Sequence, residues 1–124
     1  MRGVRVEPIV VFADARGSLH KLLPEAVTGE VYLTRARPGA SRGHHLHRRM
    51  GEWFTALAGA GWLVICDPDT GERARYRLDG QRVYVPPGLA HALFAEGDED
   101  FVVLALADRA HDPDDVVRVQ VPVP

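Results

Sequence analysis

Apolar residues along this chain come in short runs that often alternate with polar ones, and no stretch keeps the i, i+3, i+4, i+7 period of an amphipathic helix. The runs predict strands over Val4–Phe12, Ser18–Leu22, Glu30–Arg37, Glu52–Ala58, Trp62–Cys66, Ala74–Leu78, Arg82–Val85, His91–Ala95, Phe101–Leu106 and Val116–Val121. Turn residues punctuate them: Asp14-Ala15-Arg16-Gly17, Arg37-Pro38-Gly39, Gly59-Ala60-Gly61, Asp67-Pro68-Asp69-Thr70-Gly71, Asp79-Gly80 and Pro86-Pro87-Gly88. Many short strands at about 8–12-residue spacing predict an all-β sandwich or barrel. An α/β reading fails because no helices are left to make its crossovers. A single jelly-roll β-barrel is the expected fold.

Size and charge narrow the class. A chain of 124 residues suits one domain, 1–124, with one core. A formal net charge of −2 gives no general attraction to nucleic acid or to an anionic membrane. No apolar run approaches the roughly 20 residues of a membrane-spanning helix. Met1-Arg2-Gly3-Val4-Arg5 does not lead into an apolar signal-peptide core, and Cys66 is the only cysteine, so no internal disulfide forms. The expectation is a cytoplasmic protein.

Three of the six histidines fall in Arg42-Gly43-His44-His45-Leu46-His47. On a strand, His45 and His47 share one face, and His44 and Leu46 take the other. If the shared face lines the barrel, both imidazoles enter a confined cavity. Glu52, across the turn Arg48–Gly51, and His91, after Pro86-Pro87-Gly88, can reach the same point. Three imidazoles and a carboxylate then make a site for a divalent metal, with Zn, Fe, Mn, Ni and Co all compatible with nitrogen and oxygen ligands. A lone His-x-His would more simply be a solvated loop; the four residues at fixed offsets from Gly39, Gly59, Gly80, Pro86 and Gly88 are what separate the two readings.

Those offsets resemble the two signature motifs of the cupin superfamily, with Ala95 standing where the second motif usually ends in Asn. The resemblance implies a jelly-roll barrel. Within the cupins, Asp14-Ala15-Arg16-Gly17-Ser18-Leu19 resembles a stretch near the start of deoxysugar 3,5-epimerases and 3,4-ketoisomerases. Arg42-Gly43-His44-His45-Leu46-His47 resembles the ketoisomerase segment Arg-Gly-x-His-Ala-His and a similar segment in the zinc-binding cupin domain of bifunctional capsule-sugar enzymes. The run from Pro38 through Asp115 is most similar to that last domain. The likeness implies epimerisation or ketoisomerisation of a nucleotide-linked 4-keto sugar, with Zn as the leading metal. Phe101–Leu106 lacks the tyrosine that 3,5-epimerases use as general acid, so inversion at one carbon or migration of the ketone fits better than full 3,5-epimerisation.

The chemistry asks for a base beside the ketone and stabilisation of the resulting enolate. His45, aligned with the catalytic histidine of the resembling families, is the candidate base, and His47 in its charged form or a metal is the stabiliser. His45 as ligand and His45 as base are competing roles; in the first, Tyr32 is one group that can carry the proton. Arg16, Arg42 and Tyr32 are the candidate substrate-binding residues, the arginines because their forked donors match phosphate oxygens. Each arginine also reads as a surface ion pair, and Tyr32, Phe54 and Trp62 also read as core aromatics. His20 and His111 read as surface residues, Cys66 as a core residue, and His111–Asp115 as an exposed turn. Self-association as a homodimer is expected, with the apolar Val4–Phe12 run adding to a partner's sheet and carrying Arg16 toward the partner's pocket. A metal-dependent cupin dioxygenase and a non-catalytic small-molecule-binding cupin are the alternative functions.

Overall fold

The computed structural model describes residues 1–124, and apart from one short helical turn all its regular structure is strand. In chain order these are β1 (Arg5–Pro8), β2 (Val10–Asp14), β3 (Gly17–Lys21), β4 (Val31–Ala36), β5 (Ser41–His47), β6 (Glu52–Ala58), β7 (Ala60–Cys66), β8 (Arg73–Tyr76), β9 (Gln81–Val85), β10 (Ala90–Glu96), β11 (Phe101–Ala107) and β12 (Val116–Arg118). One turn of 3-10 helix, Pro113–Asp115, leads into β12. Two five-stranded sheets form, in the orders β1-β9-β6-β11-β4 and β12-β5-β10-β7-β8. From β4 to β7 and from β9 to β12 each strand crosses to the other sheet, which gives the expected jelly-roll, or cupin, barrel. No helix is long and apolar enough to cross a membrane.

Alternation in the sequence decides which residues enter the core. Phe101, Val103 and Ala105 of β11 share one buried cluster with Leu63 and Ile65 of β7 and Leu93 of β10. Each such side chain contributes about 1.5–3 kcal/mol on leaving water. This cluster fills one part of the barrel and leaves the rest to the cavity described below.

Three sequence expectations need correction. The run Val4–Phe12 is two strands broken at Ile9, whose N–H bonds Gly80 O at 3.0 Å. Its first half, β1, pairs with β9 of the same chain, so only β2 and β3 remain without a sheet to join. The last strand ends at Arg118 rather than Val121, because Val121 N–H turns aside to His44 Nδ1 at 3.1 Å. The simple alternation across Arg42–His47 also fails. His91 pairs with His45 but Ala92 pairs with Gly43, so His44 is the extra residue of a β-bulge, at φ 55°. Gly43, at φ 105°, supplies the left-handed residue beside it, and a Cβ there would press His91 O at 3.1 Å. The bulge moves Arg42 onto the interior face with Leu93, and keeps His45 and His47 there too.

Candidate metal centre and its cavity

β5 carries His45 and His47, β6 opens on Glu52, and β10 carries His91. The turn between β5 and β6 is tight at Gly51, where any side chain would run into the Tyr84 hydroxyl. His47 O accepts from Gly88 N at 2.7 Å, which ties the two motif segments together. One potential ligand atom from each of His45, His47, Glu52 and His91 lies within 4.8 Å of the other three. Ligands of one tetrahedral ion at about 2.0–2.2 Å lie roughly 3.3–3.6 Å apart, so the widest pair has to close by about an ångström, within reach of side-chain rotation. The four predicted ligands therefore converge.

Their hydrogen bonds fix which atoms point inward. His91 Nδ1 lies 3.2 Å from Leu89 O and donates to it, which leaves Nε2 with a free lone pair. His47 Nδ1 lies 3.0 Å from Asp115 Oδ2, which turns its Nε2 toward Glu52. Tyr32 OH donates to Glu52 Oε2. Glu52 Oε1 then sits 2.9 Å from His47 Nε2 and 3.7 Å from His91 Nε2. His91 Nε2 is buried with no hydrogen-bond partner, and Glu52 Oε1 has no aligned hydrogen bond, only the ionic contact with His47. Such an orphan costs about 1–3 kcal/mol unless something satisfies it. Three imidazole nitrogens and a carboxylate oxygen buried around one point are a donor set that fits a divalent cation, whose binding would displace any proton on His47 Nε2.

Protonation follows from the surroundings. Burial, then the neighbouring His91 and His47, pull His45 down to about 4, against Glu52; Arg118 pulls the same way. Burial lowers His91 as well, only partly opposed by Glu52. His47 is raised, because Glu52 and Asp115 outweigh its burial. Glu52 is lowered despite burial by His47, His91 and Tyr32. Tyr32 is raised by burial and then by the Glu52 charge, so its hydroxyl stays protonated.

Above the cluster opens a cavity of about 1000 Å³. His45 is the most accessible of the four, and Tyr32 and Arg42 line the same walls, as the sequence led us to expect. Arg16 does not. It stands at the tip of the β2–β3 hairpin, 91% exposed and paired with Asp14 at 2.6 Å. Phe54 is buried with its ring 5.4 Å from that of His91, and Trp62 lies outside the barrel under Arg75 and Arg77, so neither offers a base-stacking face.

Two site residues escaped the sequence reading. The segment His111–Asp115 is an exposed turn only in part: Asp115 is 1% exposed, binding His47 with one oxygen and accepting Arg49 N–H at 2.6 Å with the other. Arg118 reaches the cavity because β12 pairs with β5 and sets Arg118 opposite His45. Nothing local marks either residue, since both act through a long-range strand pairing. His111, exposed as expected, also borders the cavity.

Over 94 residues, 73% of this chain, it is 36% identical to a glucose-6-phosphate isomerase of Pyrococcus horikoshii, of which it covers 46%. Over 107 residues, 84% of the chain, it is 27% identical to a UDP-2-acetamido-2,6-beta-L-arabino-hexul-4-ose reductase of Pseudomonas aeruginosa, covering 29% of it. The chain thus spans about half or less of the length of these curated relatives. A dTDP sugar isomerase of Desulfovibrio desulfuricans G20 superposes with a TM-score of 0.86, over 96% of this chain and 85% of that one, at 20% identity, which establishes the shared fold. The model of the polysaccharide biosynthesis C-terminal domain family matches residues 12–117, and the chain belongs to that family.

Proposed function

We propose that this protein epimerises or isomerises a nucleotide-linked keto sugar, using zinc held by His45, His47, Glu52 and His91. The observation that carries the reading is the convergence of three imidazoles and Glu52, with His91 Nε2 buried and unpartnered, under a cavity large enough for a sugar. A bound divalent ion would act there as a Lewis acid, favouring the enolate form of a neighbouring ketone. The chain's own residues supply the rest. Tyr32, which lines the cavity with its hydroxyl on Glu52, would carry a proton to the sugar, and Arg42 would offer a fork of donors to a phosphate. His45 uses one lone pair for either ligation or proton abstraction, and its low basicity favours ligation, since an efficient base titrates near the working pH. Metal content of His45→Ala decides between the roles: a ligand loses the metal, a base keeps it.

The names of the similar proteins support sugar chemistry, and the identity to sugar-phosphate isomerases supports a second reading, isomerisation of a sugar monophosphate at the same centre. Incubating zinc-loaded protein in deuterium oxide with nucleotide-linked 4-keto sugars and, separately, with glucose 6-phosphate tests both. Deuterium gained beside the ketone of the nucleotide sugar supports the first. Conversion of the monophosphate alone would replace it with the second. Exchange with neither returns the site to the dioxygenase or binding-only alternatives.

The same reading includes a cytoplasmic homodimer. β2 and β3 are exposed along their whole length, with Val10, Phe12 and Leu19 on one face. The outer edge of β4 is unpaired, and that strand borders the cavity. A second copy's hairpin laid there would cover apolar surface and bring Arg16 near the site.

A further inference from the structure

The cavity wall carries an unassigned cation. Arg118 sits in one cross-strand row with His45 and His91, and residues in such a row project to the same face. Arg42 lies diagonally from it on β5, opposite the core residue Leu93. Arg118 and Arg42 both line the cavity, and neither is bonded to a carboxylate, in contrast to Arg16 on Asp14 or Arg82 on Glu7. Glu30 is the single acidic residue among the lining side chains, and its Oε2 is engaged by His111 N–H at 3.2 Å. A concave site with two free guanidinium groups and little negative charge concentrates anions. Gln120, two residues past Arg118, adds an uncharged donor to the same wall.

We infer that Arg118 and Arg42 together form a two-guanidinium cradle for the phosphate of the substrate, with Arg118 holding it beside His45. The inference rests on the reading of the cavity as a sugar-processing site, and it names a binding residue that the Arg-Gly motif does not contain. The phosphate chemistry is shared by a nucleoside diphosphate and a sugar monophosphate, and forked donors suit both.

Titration calorimetry on zinc-loaded protein with dTDP, glucose 6-phosphate and pyrophosphate tests it. Arg118→Gln should weaken binding about ten- to hundredfold for whichever ligand the native protein binds. Arg118→Lys should recover part of that, because it restores the charge without the fork. Native-like circular dichroism and zinc content in both variants exclude a folding defect. With a sugar ligand as substrate, Arg118→Gln should raise KM more than it lowers kcat. Binding of dTDP without glucose 6-phosphate identifies the nucleotide-linked source, and the reverse identifies the monophosphate. Unchanged affinity in Arg118→Gln overturns the inference and leaves the proposed function standing. Binding of pyrophosphate alone, weakened by Arg118→Gln, upholds the cradle and leaves the keto-sugar reading to the exchange experiment. No binding of any of the three by the native protein overturns the cradle.

Discussion

The corner of His45, His47, Glu52 and His91 and the β2–β3 hairpin leave surface unsatisfied within one chain, in opposite senses. At the corner, polar atoms are buried without aligned hydrogen bonds, Glu52 Oε1 and His91 Nε2 foremost. On the hairpin, apolar side chains are exposed without cover, Phe12 at 61% and Leu19 at 56%. Buried lone pairs beside a carboxylate call for an electron-pair acceptor, which a small cation supplies. An exposed apolar face calls for a surface, which only another macromolecule supplies. Two kinds of missing partner can thus be read from two kinds of unsatisfied surface, and each can be removed without touching the other.

The largest effect is expected at the corner. His47→Ala removes one ligand and leaves Asp115 buried beside an empty space. Zinc content measured by elemental analysis should fall to background, and solvent-deuterium exchange into the substrate should drop by about 100-fold or more. Full zinc occupancy in this variant would remove His47 from the ligand set. A smaller loss should follow Asp115→Asn, which keeps the shape but can present an N–H to His47 Nδ1 instead of an acceptor. The ring would then be free to turn or change tautomer, and zinc affinity should fall about 10–100-fold by competition with a chelator. Unchanged affinity would reduce Asp115 to a turn residue, as the sequence alone suggested.

The hairpin should respond in another currency, association. Phe12→Ser leaves the corner intact, so zinc content should not change. By sedimentation the variant should dissociate at concentrations about tenfold or more above those at which the proposed dimer of the native protein does, the scale of one buried aromatic side chain. A native protein that is monomeric at micromolar concentration would end the contrast, since the hairpin would then need no cover.

How much of this was legible follows the same division. The convergence of His45, His47, Glu52 and His91 was legible because motif spacing encodes it locally, and the β-sandwich because alternation and turn residues do. The bulge at His44 could not, although Gly43 beside it was a clue, because a bulge depends on register with β10. Asp115 and Arg118 were hidden for a related reason: β12 is three residues long and takes its meaning only from pairing with β5. The split of Val4–Phe12 is likewise a tertiary decision, made by the pairing of β1 with β9.

The smallest effect concerns how the two regions are joined. Arg82, 7% exposed, donates to Glu7 Oε2 at 2.6 and 3.1 Å and to Leu22 O at 3.3 Å. Glu7 lies just before the hairpin and Leu22 just after it, so one guanidinium braces both ends of its root. The Arg82 hydrogen bonds, with Arg5 adding to them, hold the Glu7 carboxyl below its usual range against partial burial. A carboxyl lowered in the folded state stabilises it fully above the unfolded pKa, near 4.3, and that contribution fades as pH falls through the folded value. Acidification below about pH 4 should therefore loosen the root first, by an amount on the order of 1 kcal/mol because Glu7 is partly exposed to water. Hydrogen exchange followed from neutral to acid pH should show protection lost at β1 and Leu22 in the native protein. In Glu7→Gln that pH dependence should be flat, since no carboxylate remains to titrate. A Glu7→Gln variant that keeps the native acid response would place the sensitivity in another carboxylate.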